Sequence, residues 1–104
     1  MKGLEDRLLL FYSGQSRNSG INNWALFKGF IDKENDVRGR FGRINNATWR
    51  AERALKDRNW QALGEAIAEE WAVRRTLAPG ITTVEIDRAF EAAARLVPGS
   101  AGKI

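Results

Sequence analysis

The stretch Val37-Arg38-Gly39-Arg40-Phe41-Gly42-Arg43-Ile44-Asn45-Asn46-Ala47-Thr48-Trp49-Arg50-Ala51-Glu52-Arg53-Ala54-Leu55-Lys56 decides the architecture. Within it Val37, Phe41, Ile44, Thr48, Ala51 and Leu55 follow alternating steps of four and three. Residues three and four apart share a helix face, so this spacing draws one stripe along a helix of about five turns. Gly39 and Gly42 weaken its first turns by about 1 kcal/mol each relative to alanine, and Asp36 stands where an N-cap belongs. Asp57-Arg58-Asn59 ends the helix and restarts the chain.

Working outward, Trp60, Leu63, Ile67 and Trp71 form the next stripe and predict a helix over 60–77, with Ala62, Ala66 and Ala68 as strong helix formers. Pro79 disfavours helical geometry at Ala78, and Gly80 completes the turn. Thr82-Thr83-Val84-Glu85 fits a capping box, in which the Thr82 hydroxyl and the Glu85 carboxylate satisfy orphan backbone donors. Ile86, Phe90, Ala93 and Val97 then share a face until Pro98-Gly99. Upstream, Trp24, Phe27 and Ile31 predict a short helix capped by Asn22 or Asn23 and broken by Asp32-Lys33-Glu34-Asn35-Asp36. Short links favour antiparallel neighbours, and the predicted core is Phe41, Ile44, Leu55, Leu63, Ile67, Trp71, Ile86 and Phe90.

Leu8-Leu9-Leu10-Phe11-Tyr12 breaks the helical pattern and reads as a short buried strand that empties into a polar loop over 13–23. A lone strand leaves its backbone donors and acceptors unpaired on both edges, which implies a missing partner. The expected fold is therefore mainly α: a compact bundle of about four helices preceded by one strand at 8–12. It forms a single domain, 1–104, with strand and loop over 1–23, a helical region over 24–98 and a short tail over 99–104.

Composition narrows the chemistry. The chain has 104 residues, 43% hydrophobic and 29% charged, which suits one globular domain. It has neither cysteine nor histidine, so disulfides, thiolate nucleophiles, imidazole bases and the usual zinc sets are excluded. Carboxylates, arginine, lysine and hydroxyls are left. No run approaches the roughly 20 apolar residues of a membrane span, and Glu5 and Asp6 sit where a signal peptide carries no acids, so a soluble cytoplasmic protein with no membrane association is expected. The net charge of +4 is a mild basic excess that favours anionic ligands without naming one.

Leu8-Leu9-Leu10-Phe11-Tyr12-Ser13-Gly14-Gln15-Ser16-Arg17 resembles the strand and loop that open the C-terminal portion of GHMP-type small-molecule kinases, in the sugar and heptose-phosphate branch. Ala54-Leu55-Lys56-Asp57-Arg58-Asn59-Trp60-Gln61-Ala62-Leu63-Gly64-Glu65 is similar to a later segment of that family. Glu70-Trp71-Ala72-Val73-Arg74-Arg75-Thr76-Leu77 resembles the helix after it, and Ile81-Thr82-Thr83-Val84-Glu85-Ile86-Asp87 the next helix start. The resemblance implies part of an α+β C-terminal domain, and ATP and Mg as cofactors of a complete sugar kinase. The family's Gly/Ser-rich phosphate loop and catalytic carboxylate have no counterpart here, and the chain stops at Gly102-Lys103-Ile104, ahead of the family's second glycine-rich loop. A phosphate cradle needs several converging N–H groups, so Gly99-Ser100-Ala101-Gly102 does not replace it. The resemblance thus implies a truncated, non-catalytic, transferase-like remnant with no cofactor of its own. Its expected partner is a second copy in a homodimer, or a missing N-terminal kinase domain as in a split kinase.

With no catalytic residue or metal ligand evident, Ser13, Gly14, Arg17, Ser19 and Asn22 are the candidate substrate-binding residues. Their hydroxyls and amide suit sugar hydroxyls, and the Arg17 guanidinium suits a phosphate. A polar turn with a helix cap is the plainer alternative. Arg38, Arg40, Arg43, Arg50, Arg53, Lys56 and Arg58 crowd one helix, which raises a second reading: a small basic helical module for nucleic acid or another anionic partner. Glu52 and Asp57 dilute this patch and no aromatic platform stands out among the bases, so a solvated face is expected and nucleic acid is not. Trp60 and Trp71 fall on the core stripe, whereas Trp49 lies beside its own stripe and is a candidate for exposure. With Trp24 it would form an orphaned interface that drives self-association.

Overall fold

The computed structural model describes residues 2–14, 19–33, 36–78 and 80–104. Among them the chain forms α1 (Lys2–Glu5), α2 (Ser19–Asp32), α3 (Val37–Lys56), α4 (Trp60–Arg74) and α5 (Val84–Leu96). The principal packing is α3 against α4, with α2 touching α3. α3 follows the stripe read from the sequence, yet its fully buried residues are Val37, Ala47 and Ala54. Across from them α4 buries Leu63, Ala66, Glu70, Trp71 and Val73. Alanines at a helix seam let two backbones approach closely, and side-chain size at the contact sets the interaxial distance. Of the predicted core only Leu63 and Trp71 are buried, while Phe41, Ile44, Leu55, Ile67, Ile86 and Phe90 are half-buried around the alanine seam.

The helix starts show which turn residues act as caps. The Asn59 Oδ1 accepts from the Ala62 N–H at 3.1 Å and caps α4. Thr83, not Thr82, caps α5: its hydroxyl accepts from the Ile86 N–H at 3.3 Å, while the Thr82 hydroxyl donates to Asp87 at 2.9 Å. Asp36 does stand at the N-cap of α3, in a left-handed conformation with φ 55°, but its side chain makes no cap bond. α2 opens at Ser19, five residues ahead of Trp24, so Asn22 and Asn23 lie inside the helix and do not cap it.

Aromatic and charged side chains fasten the outer elements. Phe30 and Phe41 lie 5.5 Å apart between α2 and α3, and the Arg38 guanidinium sits 4.8 Å over the Phe30 ring while Nε donates to the Phe30 carbonyl at 3.0 Å. α5 docks through an edge-on Trp71–Phe90 contact at 5.9 Å and an Arg75–Asp87 ion pair at 2.7 Å, and it contains no fully buried residue. The C-terminal tail crosses Phe90 at Gly102, where a Cβ would fall 2.5 Å from the ring, and Lys103 Nζ reaches Glu70 Oε1 at 3.5 Å. At the other end Arg7 stacks 4.8 Å from the centre of the Trp60 ring and donates to the Gly3 carbonyl, which folds α1 onto the start of α4.

The expectation of a strand is corrected: the fold is all-α, with no strand among the described residues. Residues 8–12 leave α1 through a bond from the Leu8 N–H to the Glu5 carbonyl at 3.4 Å, and 9–12 make no backbone hydrogen bond among the described residues. Apolar β-forming residues supply only the propensity for a strand, and a second strand must supply the bonds. None is present among the described residues, and the run lies exposed, with Leu10 at 99%. The molecule measures 41 × 31 × 22 Å with a radius of gyration of 14.9 Å, against about 13 Å for a closed globule of this length.

Candidate functional site

Seven basic residues on or just after α3 looked equivalent in the sequence, and the fold sorts them. Arg38 clips α3 to α2 as described, and Arg40 donates to the Thr76 carbonyl at 2.7 Å, clipping it to the turn after α4. Lys56 pairs with Glu52 at 2.9 Å along the same helix, and Arg43 pairs loosely with Glu69 of α4 at 3.7 Å. Arg50 and Arg53 are exposed, and their guanidinium groups meet no partner among the described residues. Arg58, in the turn after the helix, is likewise exposed and its guanidinium meets no partner among the described residues, so three cations lack an acid partner there, two of them on α3 itself.

Trp49 joins them. Its indole is 63% exposed, and Arg43, Asn46, Trp49, Arg50 and Glu69 line an open groove of about 500 Å³ between α3 and α4. Arg43, Asn46, Arg50 and Arg53 recur at i, i+3, i+7 and i+10, so they run along one face with Trp49 beside them. The row flanks the core seam at Ala47 and Ala54, with Arg43 nearest α4 and Arg53 and Trp49 turned furthest from it. The arrangement presents an aromatic plane, an amide and a row of guanidinium groups, with Glu69 as the one acid at its edge. Such a set can stack a planar ring and meet anionic oxygens. It holds no nucleophile paired with a base, and no group of acidic residues among the described ones could hold a metal ion. No described helix is long and apolar enough to cross a membrane.

The candidates read from the polar loop fall on two segments, with one of them outside the described residues. Ser13 and Gly14 lie exposed after the 8–12 run, Gly14 with φ 83°, whereas Ser19 and Asn22 fall in the first turn of α2. Arg17 lies outside the described residues. The α3 face was missed because the sequence shows charge without showing compensation. The only signal available was Trp49 standing off the apolar stripe next to Arg50.

No protein-family model, no curated protein and no solved structure matches this chain. The resemblance to GHMP-type kinases is therefore corrected: that family is built on a β-sheet core, and this chain is all-α among its described residues. The readings that followed from it, a truncated transferase-like remnant and a split-kinase subunit, are set aside with it. Among its described residues the chain is a small all-α fold.

Proposed function

We propose that this chain is a small basic helical module that binds single-stranded nucleic acid along the outer face of α3. The observation that carries the reading is the exposed Trp49 indole flanked by Arg50 and Arg53, which have no acid partner among the described residues. Sequence-tolerant binding of single strands combines aromatic side chains that stack bases with cations that track phosphates, and every base offers a π-face to such a ring. Arg43 and Arg50 stand about 10 Å apart along the helix axis, so the face can meet more than one phosphate. The net charge of +4 supplies attraction of the same sign.

Fluorescence anisotropy with a labelled oligothymidine, measured over a salt series, tests it. Trp49→Ala should weaken binding by about 5- to 150-fold, the worth of one stacked base. Arg50→Gln should flatten the slope of log affinity against log salt by about 0.7. No binding at low salt, or binding indifferent to Trp49→Ala, rejects the reading.

A further inference from the structure

We propose that the chain forms a two-fold homodimer in which residues 8–12 of two copies pair as antiparallel strands, and the exposed stripe Trp24, Phe27 and Ile31 of α2 packs over the paired ribbon. This surface is separate from the α3 face and goes beyond the nucleic-acid reading.

Area is the first argument. The accessible surface is 7911 Å², whereas a folded monomer of 11.7 kDa exposes about 5,900 Å². The chain therefore carries about 2,000 Å² of excess surface, and a stable interface needs about 800 Å² from each partner. Large apolar side chains supply much of the exposed area: Leu9 at 84%, Phe11 at 82%, Tyr12 at 83%, Trp24 at 72% and Ile31 at 70%. Each aromatic ring alone buries about 150–250 Å² when fully covered.

The backbone is the second argument. Residues 9–12 offer donors and acceptors with no partner among the described residues, along an apolar run that ends in the strand-favouring Phe11 and Tyr12. That is a template for another strand, and in solution the segment always at hand is the same segment of a second copy. Antiparallel pairing about a two-fold axis at Leu10 sets Leu8 opposite Tyr12 and Leu9 opposite Phe11, so all five apolar residues find apolar partners. It also sets Arg7 opposite Ser13, so no like charges face each other. A bare two-stranded ribbon is marginal in water and needs an apolar cover, and the α2 stripe is a cover that each copy brings.

Sedimentation equilibrium of the full chain should return twice the 11.7 kDa protomer mass at tens of micromolar. Leu10→Lys should return the protomer mass with an unchanged helical circular dichroism spectrum, because Leu10 touches none of the helix core. The chain has no native cysteine, so Leu10→Cys places one thiol per copy at the axis. Opposed Cα atoms of an antiparallel pair lie about 5.5 Å apart, within disulfide range, and mild oxidation should link the copies. Ser13→Cys should not link, since its two copies lie about 20 Å apart along the strands. A monomer throughout the concentration range, a dimer that survives Leu10→Lys, equal cross-linking at 10 and 13, or polydisperse aggregation each overturns the proposal.

Discussion

Asn59 and Gly64 show how single residues hold α4 in place. Asn59 supplies the oxygen that satisfies the Ala62 N–H, one of the donors that the helix leaves without an internal partner. Asn59→Ala should cost about 1 kcal/mol and lower the melting temperature by about 4–8 °C, followed by far-ultraviolet circular dichroism. Asn59→Asp keeps the acceptor and should melt close to the parent. Gly64 behaves against its usual sense. Alanine for glycine within a helix normally gains about 1 kcal/mol, but here the new Cβ would stand 2.9 Å from the Gly99 carbonyl oxygen. Backbone cannot yield as a flexible side chain does, and Gly99 itself holds φ 88° in the turn after Pro98. Gly64→Ala should therefore destabilise by about 1 kcal/mol net, the overpacking cost exceeding the helical gain. A melting temperature above the parent's would show that the turn moves freely.

Among the elements, α3 and α4 form the core pair and the others are fastened to them at a few points. Their seam is set by Ala47, Ala54 and Ala66, which are almost completely buried. Ala54→Leu adds three carbons where the helices meet and should cost about 1–3 kcal/mol, measured by urea titration. Phe27→Ala, on the exposed stripe of α2, should change protomer stability by less than about 0.5 kcal/mol in the same titration of the monomeric Leu10→Lys background. Equal losses from the two substitutions would mean that α2 belongs to the core. Glu70 joins another pair of elements: buried on α4, it accepts from Arg74 one turn on and from Lys103 of the tail, with Oε2 buried and unpartnered. One carboxylate thus ties the tail to the helix pair.

Across the whole molecule, two surfaces of opposite character coexist, one cationic along α3 and one apolar along 8–12 and α2. Their responses to salt should diverge. Nucleic-acid binding releases counterions and should fall steeply as sodium chloride rises, whereas self-association through apolar surface should hold or strengthen in sulfate. Anisotropy and sedimentation run on the same samples check this, and a dimer that dissociates in step with nucleic-acid release would show that one charged surface serves both. The large accessible surface follows from the same organisation. A chain whose core is one helix pair and the turn after it, where Ala78 and Ile81 are buried with Trp71, leaves apolar side chains on its other elements without cover.

What the amino-acid order determined by itself is local. The four-and-three spacing from Val37 to Leu55 set out α3 almost to its ends, the stripe from Trp60 to Trp71 marked α4, although that helix ends at Arg74 and not at 77, and Pro98 follows the end of α5 closely, because helical periodicity and proline's missing N–H act within a few residues. What only the tertiary structure decided is pairing. Whether Leu8 to Tyr12 becomes a strand depends on a second strand, whether Ala54 lies in the core depends on the facing helix, and whether Arg50 is compensated depends on which acids the fold brings near it. Those partners are distant in the chain or belong to other chains, and no local pattern encodes them.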